Sequence, residues 1–365
     1  MDPTPIDPCE FASQVSSWLT GGADADDVVV SCRVRLARNL AEFPFAARLE
    51  EERAQELCER VRPVLDAAAL DGETRWLPME QTEPVLRLVL RERHLISRDL
   101  APVEEACPVP AGRAVAFGET EGTSVMVNEE DHLRIQTLES GFQLDSTLAA
   151  AVELDRFLEE RLEFAFTREL GYLTGCPTNV GTGLRASVML HLPGISLVRS
   201  ELEKVFTAAQ RTGLAVRGLY GEGSRAAGDF FQISNQVTLG RDEESLIDDL
   251  RALVPVIADF ERKVRAALLD DQRAALTDRV TKSLGVLRTA RSLATDAALA
   301  HLSNVRLGHT LGLVRGPGLE LLNALGVQVQ KGHIQALNPR APGEGLLDPS
   351  ERDSLRAGLL RKHLA

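Results

Sequence analysis

The hydrophobic period of this chain changes once, near residue 243, and that change limits the folds open to it. Ahead of it, short stretches that alternate apolar and polar residues, or run β-branched, read as strands at 28–35, 125–127, 133–138, 186–192, 214–218 and 230–239. Between them, residues 50–70, 80–94, 143–166 and 200–211 repeat apolar residues at helical spacing. In the third of these, Leu144, Leu148 and Val152, then Leu154, Leu158 and Leu162, recur at four-residue steps. In the fourth, Leu202, Val205, Phe206 and Ala209 point inward and Gly213 marks the stop. Beyond the change, residues 244–302 carry an almost continuous helical pattern. After a loop at 338–343, Asp348 reads as an N-cap, with Pro349 at the first helical position and Glu351 three residues after the cap. The organisation expected is a tail with a short helix near residues 11–19 and a Gly21-Gly22-Ala23-Asp24 loop (1–27), a mixed α+β part (28–262) and an all-helical part (263–365).

The chain of 365 residues is 44% hydrophobic and 26% charged, the profile of a soluble globular protein. Its net charge of −13 argues against general affinity for nucleic acid or an acidic membrane surface. It leaves room for a local basic cavity. Five widely spaced cysteines without a C-x-x-C argue against a disulfide framework or a zinc site, and fit a reducing cytoplasm. The acidic, Pro-rich start does not read as a signal peptide, and no apolar run has the length of a membrane span.

Four segments concentrate chemistry. Residues 128–135, NEEDHLRI, put Glu129, Glu130, Asp131, His132 and Arg134 beside a strand. Such a density of charge is unfavourable unless it serves a site. Glu130 is a candidate proton acceptor and Arg134 a candidate anion ligand. Arg33 and Arg35 are two apart on a strand, so both face one way, and a like-charged pair there wants an anion between them. By itself that pair reads better as a solvated edge strand. Residues 171–187, GYLTGCPTNVGTGLRAS, form a glycine-rich loop that brings Cys176 near Arg185. Cys176 is a candidate reactive thiolate, against the commoner reading of a small buried hydrophobe. Residues 217–224, RGLYGEGS, set Arg217 before Glu222, which two glycines flank. The alternative there is a hairpin tip. Neither a P-loop nor the protein-kinase motifs occur. If ATP binds, arginines from separate strands must neutralise it.

Together the blocks SCRVRLARN, NEEDHLRIQ, GYLTGCPTNVGTGLRASVMLHLP and RGLYGEGSRAAGDFFQISNQVTLG resemble the signature blocks of the phosphagen (guanidino) kinases, and more closely those of the bacterial protein-arginine kinases. The resemblance spans about residues 28–240, in order. It implies a guanido-kinase catalytic fold, an antiparallel sheet flanked by helices, with ATP and Mg2+. It places Arg33, Arg35, Arg134, Arg185 and Arg217 on the phosphates and His94 near the nucleotide. Around them it implies nucleotide contacts from Ser31, Cys32 and Val34, from Ala186, Ser187, Val188 and Met189, and from Gly218, Leu219, Tyr220, Gly221 and Glu222. Glu130 and Glu222 match the carboxylates that hold an acceptor guanidinium, and Cys176 the cysteine beside it. Cys32 stands where serine is usual, and Arg225 and Asp229 alter the loop after Glu222. In the last helix, residues 352–357, RDSLRA, resemble a phosphoarginine-binding motif. It would be an allosteric site of Arg352, Asp353, Arg356 and Ala357, the two arginines one turn apart on one face. Taken alone, the segment is an ordinary charged helix face.

The function expected is a cytoplasmic protein-arginine kinase that marks proteins for quality control. Its partners would be proteins with exposed arginines, an activator protein and a Clp-type protease system, and the kinase itself would be a homodimer; neither nucleic acid nor membrane is among its partners. The first catalytic strand begins near residue 28, which leaves no room for the helical domain that precedes it in free-guanidino kinases and implies a more open acceptor site. A free-guanidino kinase and a non-catalytic phosphoarginine adaptor are the alternatives.

Overall fold

Ten residues, Val29–Arg38, form β1, and its alternation divides the molecule into two faces. Val34 and Leu36 turn to one side and are buried, while Arg33 and Arg35 turn to the other and stay partly open. In the computed structural model, residues 6–20, 27–101, 109–218, 227–341 and 345–365 are described. The further strands are β2 (Arg75–Pro78), β3 (Ala114–Phe117), β4 (Thr123–Val127), β5 (Leu133–Ser140), a two-stranded ribbon of β6 (Phe166–Thr167) and β7 (Gly171–Tyr172), then β8 (Leu184–His191), β9 (Leu214–Gly218) and β10 (Phe230–Asn235). Eight of them make one sheet in the order β2-β3-β4-β5-β1-β8-β10-β9, every neighbouring pair antiparallel. β1 is central, so both of its edges are paired.

The helices are α1 (Pro8–Ser13), α2 (Glu51–Ala68), α3 (Pro84–Glu92), α4 (Leu144–Glu159), α5 (Pro193–Leu197), α6 (Arg199–Arg211), α7 (Glu243–Thr289), α8 (Thr295–Thr310), α9 (Leu319–Gln328), α10 (Lys331–Ala336) and α11 (Pro349–Leu364). One core lies between the sheet and α2, α4, α6 and the first half of α7; it takes Cys32, Val34, Ala186, Val188 and Ile233 from the strands and Leu57, Leu158, Val205 and Leu250 from the helices. A second packs α1, α3 and α10 against β2–β4, through Phe11, Val89, Leu90, Phe117 and Ala336. A third lies within the helical part, among Leu287, Leu302, Val305, Leu325 and Leu360.

The elements differ from expectation where tertiary contacts intervene. The helix expected at 143–166 ends at Glu159, because the following chain pairs with the segment after β1: Phe164 bridges Leu40, and the Ala165 N–H donates to the Asn39 carbonyl at 2.7 Å. The strand expected at 230–239 stops at Asn235, whose side chain accepts from the Ala186 N–H (2.8 Å) and donates to the Leu184 carbonyl (2.9 Å). The helix expected at 80–94 starts at Pro84, and the one near residues 11–19 breaks into α1 and a 3-10 turn at Ser17–Leu19. α7 runs through 262/263 and leaves helical angles at Gln272 (φ −135°). α11 carries the full capping box of Asp348 and Glu351. The Gly21–Asp24 loop and Cys107 lie outside the described residues; Cys9, Cys32, Cys58 and Cys176 are free thiols.

Candidate active site

Antiparallel register sets the arginines in rows across the sheet. Arg35 of β1 lies directly opposite Arg185 of β8, with Gln136 of β5 on its other side. The next row is Leu138, Arg33, Ser187 and Ser234. A third joins Ser31, Met189, Gln232 and Arg217. Arg33, Arg35, Arg134, Arg185, Met189 and Arg217 line a single cleft of about 820 Å³, together with His94, Glu129, Glu130 and Cys176.

Two cations face to face on a sheet destabilise it unless something anionic intervenes. Arg33 is held down to about 10, first by burial and then by Arg185 and Arg134. Arg35 is held well below its usual value by burial and by Arg33, Arg134 and Arg185. The buried Nε of Arg35 has no hydrogen-bond partner among the described residues. A polyanion in the cleft would offset the repulsion among these guanidinium groups and give that donor a partner.

His94 takes a left-handed backbone (φ +62°), and its ring lies 5.3 Å from that of Trp18. Burial, then Arg33 and Arg35, hold its pKa at about 3 against the usual 6.5. The imidazole is neutral at working pH. Because the unfolded chain protonates His94 near 6.5, the stability linked to neutral His94 is complete above that pH and is lost as pH falls towards 3. A polyphosphate beside the arginines offsets their repulsion, so ADP should raise the His94 pKa. An NMR titration of its ring with and without ADP checks this; an unchanged midpoint would mean no anion binds near Arg33 and Arg35.

The acidic segment separates into two roles. Arg134 is buried, which works against its charge, but Glu129 (2.9 Å) and Glu130 outweigh that and hold its pKa up. Glu130 is exposed to the cleft; Glu129 is buried and was not singled out as a site residue by its sequence, which gives the two acids the same signal. Asp131 and His132 are fully buried braces. Asp131 accepts from Asn39 Nδ2 (2.7 Å) and from the Gly175 N–H (2.6 Å), and burial raises its pKa despite both. His132 Nδ1 accepts from the Leu40 N–H at 3.0 Å, and its Nε2 lies 2.8 Å from the Pro44 carbonyl. These contacts tie the Cys176 loop and the chain after β1 to the acidic turn. Gly183 closes that loop on β1: a Cβ there would meet the Ala37 carbonyl at 2.7 Å, and its φ is +65°. Cys176 Sγ lies 3.0 Å from Thr178 Oγ1.

Period 2 also divides the expected contact residues between the two faces of the sheet. Cys32, Val34, Ala186 and Val188 face the helix-covered core, with their backbones committed to the ladder, so their side chains cannot reach a ligand in the cleft. Burial pushes the Cys32 thiol up to about 12, that of a core hydrophobe. Ser31, Ser187 and Gly218 are buried at the sheet surface. Leu219, Tyr220, Gly221, Glu222 and Arg225 lie outside the described residues.

The residues of the expected phosphoarginine motif divide between half-buried and buried positions on α11. Arg352 is half-buried and bonds the Leu347 carbonyl, but Arg356 is only 1% exposed. Its Nε donates to the Val329 carbonyl at 2.6 Å and its Nη1 to the Leu293 carbonyl at 2.7 Å and to Asp353. Ala357 is buried in the helical core. The two arginines do not share an exposed face; Arg356 holds α11 to α9 and to the turn before α8. Arg356→Ala should therefore cost about 2–4 kcal/mol, since it strands the Val329 and Leu293 carbonyls in the helical core and leaves the half-buried Asp353 without its partner. Arg352→Ala should cost less than about 1 kcal/mol. Urea unfolding of both variants checks this, and equal, small losses would contradict the assignment.

The far wall of the cleft comes from the helical part, through Leu299 of α8, Leu322, Asn323, Gly326 and Val327 of α9, and Lys331 of α10. Sequence reasoning missed these residues, because no local pattern joins them to strands far earlier in the chain.

Comparison with known proteins bears on this cleft. The C-terminal catalytic domain of the ATP:guanido phosphotransferases matches residues 56–264, and the protein-arginine kinase McsB C-terminal domain matches residues 273–365. The stretch between the two matches, residues 265–272, ends at the Gln272 break in α7. A protein-arginine kinase of Bacillus pumilus is 41% identical over 352 residues, 96% of this chain and 93% of its own length. One of Halothermothrix orenii is also 41% identical, over 96% of this chain and 97% of its own. A solved lombricine kinase superposes with a TM-score of 0.56 at 25% identity, over 70% of this chain and 71% of that one. The duplicated taurocyamine kinase of Schistosoma mansoni with bound transition state analog components is alike in fold, with a TM-score of 0.57 at 22% identity, over 78% of this chain and 44% of that one.

Proposed function

The chain belongs to the protein-arginine kinases, a branch of the ATP:guanido phosphotransferases, and from that premise we propose that its cleft transfers the terminal phosphoryl group of ATP to arginine side chains of proteins. One observation carries the chemical reading. Arg33, Arg35, Arg134, Arg185 and Arg217 converge from four strands on one cleft, and the repulsion among those on β1, β5 and β8 calls for a polyanion.

Phosphoryl transfer asks a protein mainly for position and for positive charge at the equatorial oxygens. The arginines supply the charge, each in a fixed planar fork. Glu130 lies beside Arg134, where the terminal phosphoryl would sit, and reaches the open side of the cleft. It orients the incoming guanidinium and takes a proton as the N–P bond forms; the bond from phosphorus to the ADP oxygen breaks. Glu222 is proposed as the second carboxylate and Cys176 as a neighbour of the acceptor. Glu129 and Asp131 act through others, the first by holding Arg134 and the second by fixing the Cys176 loop. Among the described residues no group of three or more His, Cys, Asp or Glu could hold a metal ion. Mg2+ fits as a companion of the triphosphate, since it keeps most of its waters and binds through phosphate oxygens.

The proposal extends, on resemblance, to a cytoplasmic enzyme, a homodimer, an activator protein, and a Clp-type protease that receives marked proteins in quality control. It also includes allosteric control by phosphoarginine, with Arg352 and Asp353 as its contacts and Arg356 and Ala357 as its scaffold. The domain division is proposed near Gln272. No helix of the described residues is long and apolar enough to cross a membrane.

The test is incubation with Mg-ATP and an unfolded, arginine-rich protein, followed by mass spectrometry for acid-labile phosphoarginine. Free arginine runs in parallel. Label on free arginine alone would turn the reading to a phosphagen-type kinase, and label on neither would overturn it.

A further inference from the structure

We propose that the helical part builds the nucleoside-binding end of the cleft, and that the Asn323 side-chain amide donates a hydrogen bond to the base or ribose. The inference rests on the ATP-dependent reading above.

The direction of a bound nucleotide follows from the sheet. The acceptor end is marked by Glu130 and Arg134 at the start of β5. Four residues along the same strand, about 13 Å away at the rise of an extended chain, lies Leu138. There Trp18 and Leu19 cluster with Leu138 and with Val327 of α9. Arg35 and Arg185 lie in the row between these points and Arg33 in the row of Leu138 itself, with the apolar cluster beside that end of β5, so phosphates laid along the arginines bring the nucleoside to the cluster. Trp18 and the neutral His94 ring offer flat surfaces to a base.

The wall opposite comes from α9. Asn323 is 8% exposed and lines the cleft. Arg306, itself buried, donates to its Oδ1 and so fixes which way the amide points. The Nδ2 group has no hydrogen-bond partner among the described residues, yet it is not sealed from the cleft. It is a positioned donor that wants an acceptor, which a purine ring nitrogen or a ribose oxygen supplies. One turn on, Gly326 also lines the cleft, and a Cβ there would meet no atom within 4 Å. That open space is where a base would lie against α9. A nucleotide seated in this way touches the sheet with its phosphates and the helical part with its nucleoside.

The test uses the full chain and two probes: ADP, which carries the nucleoside, and inorganic tripolyphosphate, which does not. Gly326→Leu puts a side chain into that space from a Cβ that meets no atom within 4 Å, and replaces a mid-helix glycine by a better helix former. By calorimetry it should weaken ADP at least about tenfold, while tripolyphosphate stays within about twofold. Asn323→Asp keeps an acceptor for Arg306 and removes the donor; it should weaken ADP about 2–12-fold, the range of a lost hydrogen bond. Unchanged ADP affinity in either variant overturns the inference. So does a parallel loss of both probes in Gly326→Leu, which would report damage to the whole cleft. Failure of the wild type to bind either probe would instead sink the ATP-dependent reading, and this inference with it.

Discussion

Arg185→Ala lowers phosphoryl transfer by about 10³-fold or more, the scale of one arginine at a transferring phosphoryl group. The reason is its place in the sheet. Directly opposite Arg35, it completes a pair of guanidinium groups that a bound triphosphate must bridge. Removing it takes away charge and leaves Arg35 without the neighbour that shapes the anion site. Arg185→Lys recovers only part of the loss, since a point charge on a flexible stem cannot reproduce the planar fork. The fold should survive, because the substitution relieves repulsion that lowers the pKa of both Arg33 and Arg35. Steady-state assays, ADP calorimetry and thermal unfolding together check this. Near-native turnover in Arg185→Ala would contradict an anion site at this row.

Glu130→Gln slows transfer about 10²–10⁴-fold, as expected for the loss of a positioned proton acceptor. Glutamine preserves the shape and can still accept from Arg134, but it neither takes a proton nor faces a guanidinium with charge. Nucleotide affinity should change little, because buried Glu129 still holds Arg134 at 2.9 Å. Glu129→Gln should do the opposite, weakening nucleotide use by loosening Arg134 while the acceptor contact persists. The two variants are neighbours with the same chemistry, so their contrast in KM and kcat tests the division of roles. If both behave alike, the acidic turn acts as one undivided charge.

Much of this protein follows from local physics. Alternation alone puts Arg33 and Arg35 on one face, since a strand has no other way to set side chains two residues apart. The start of α11 is set by Asp348, Pro349 and Glu351 acting within one turn, and the stop of α6 by Gly213 at φ +75°. The change of period at residue 243 separates sheet from helices because no later segment supplies a strand to the described structure. Local pattern also carries the family's motifs, and through them the arginines that meet in the cleft.

What sequence spacing left open was decided by partners distant in the chain. In the run Glu129 to His132, four ionisable groups look alike; only the fold gives Glu130 to the cleft and turns Asp131 and His132 into braces for Asn39, Gly175 and Leu40. A contiguous motif such as Ser31–Arg35 also hides its alternation, so Cys32 and Val34 read as contacts although they belong to the core. Arg356 looks like a solvated helix charge until α9 and the turn before α8 close over it with two backbone carbonyls. Asn323 and Gly326 carry no motif at all. Their place on the cleft wall comes from packing between the helical part and the sheet, a contact that tertiary structure creates and local sequence does not encode.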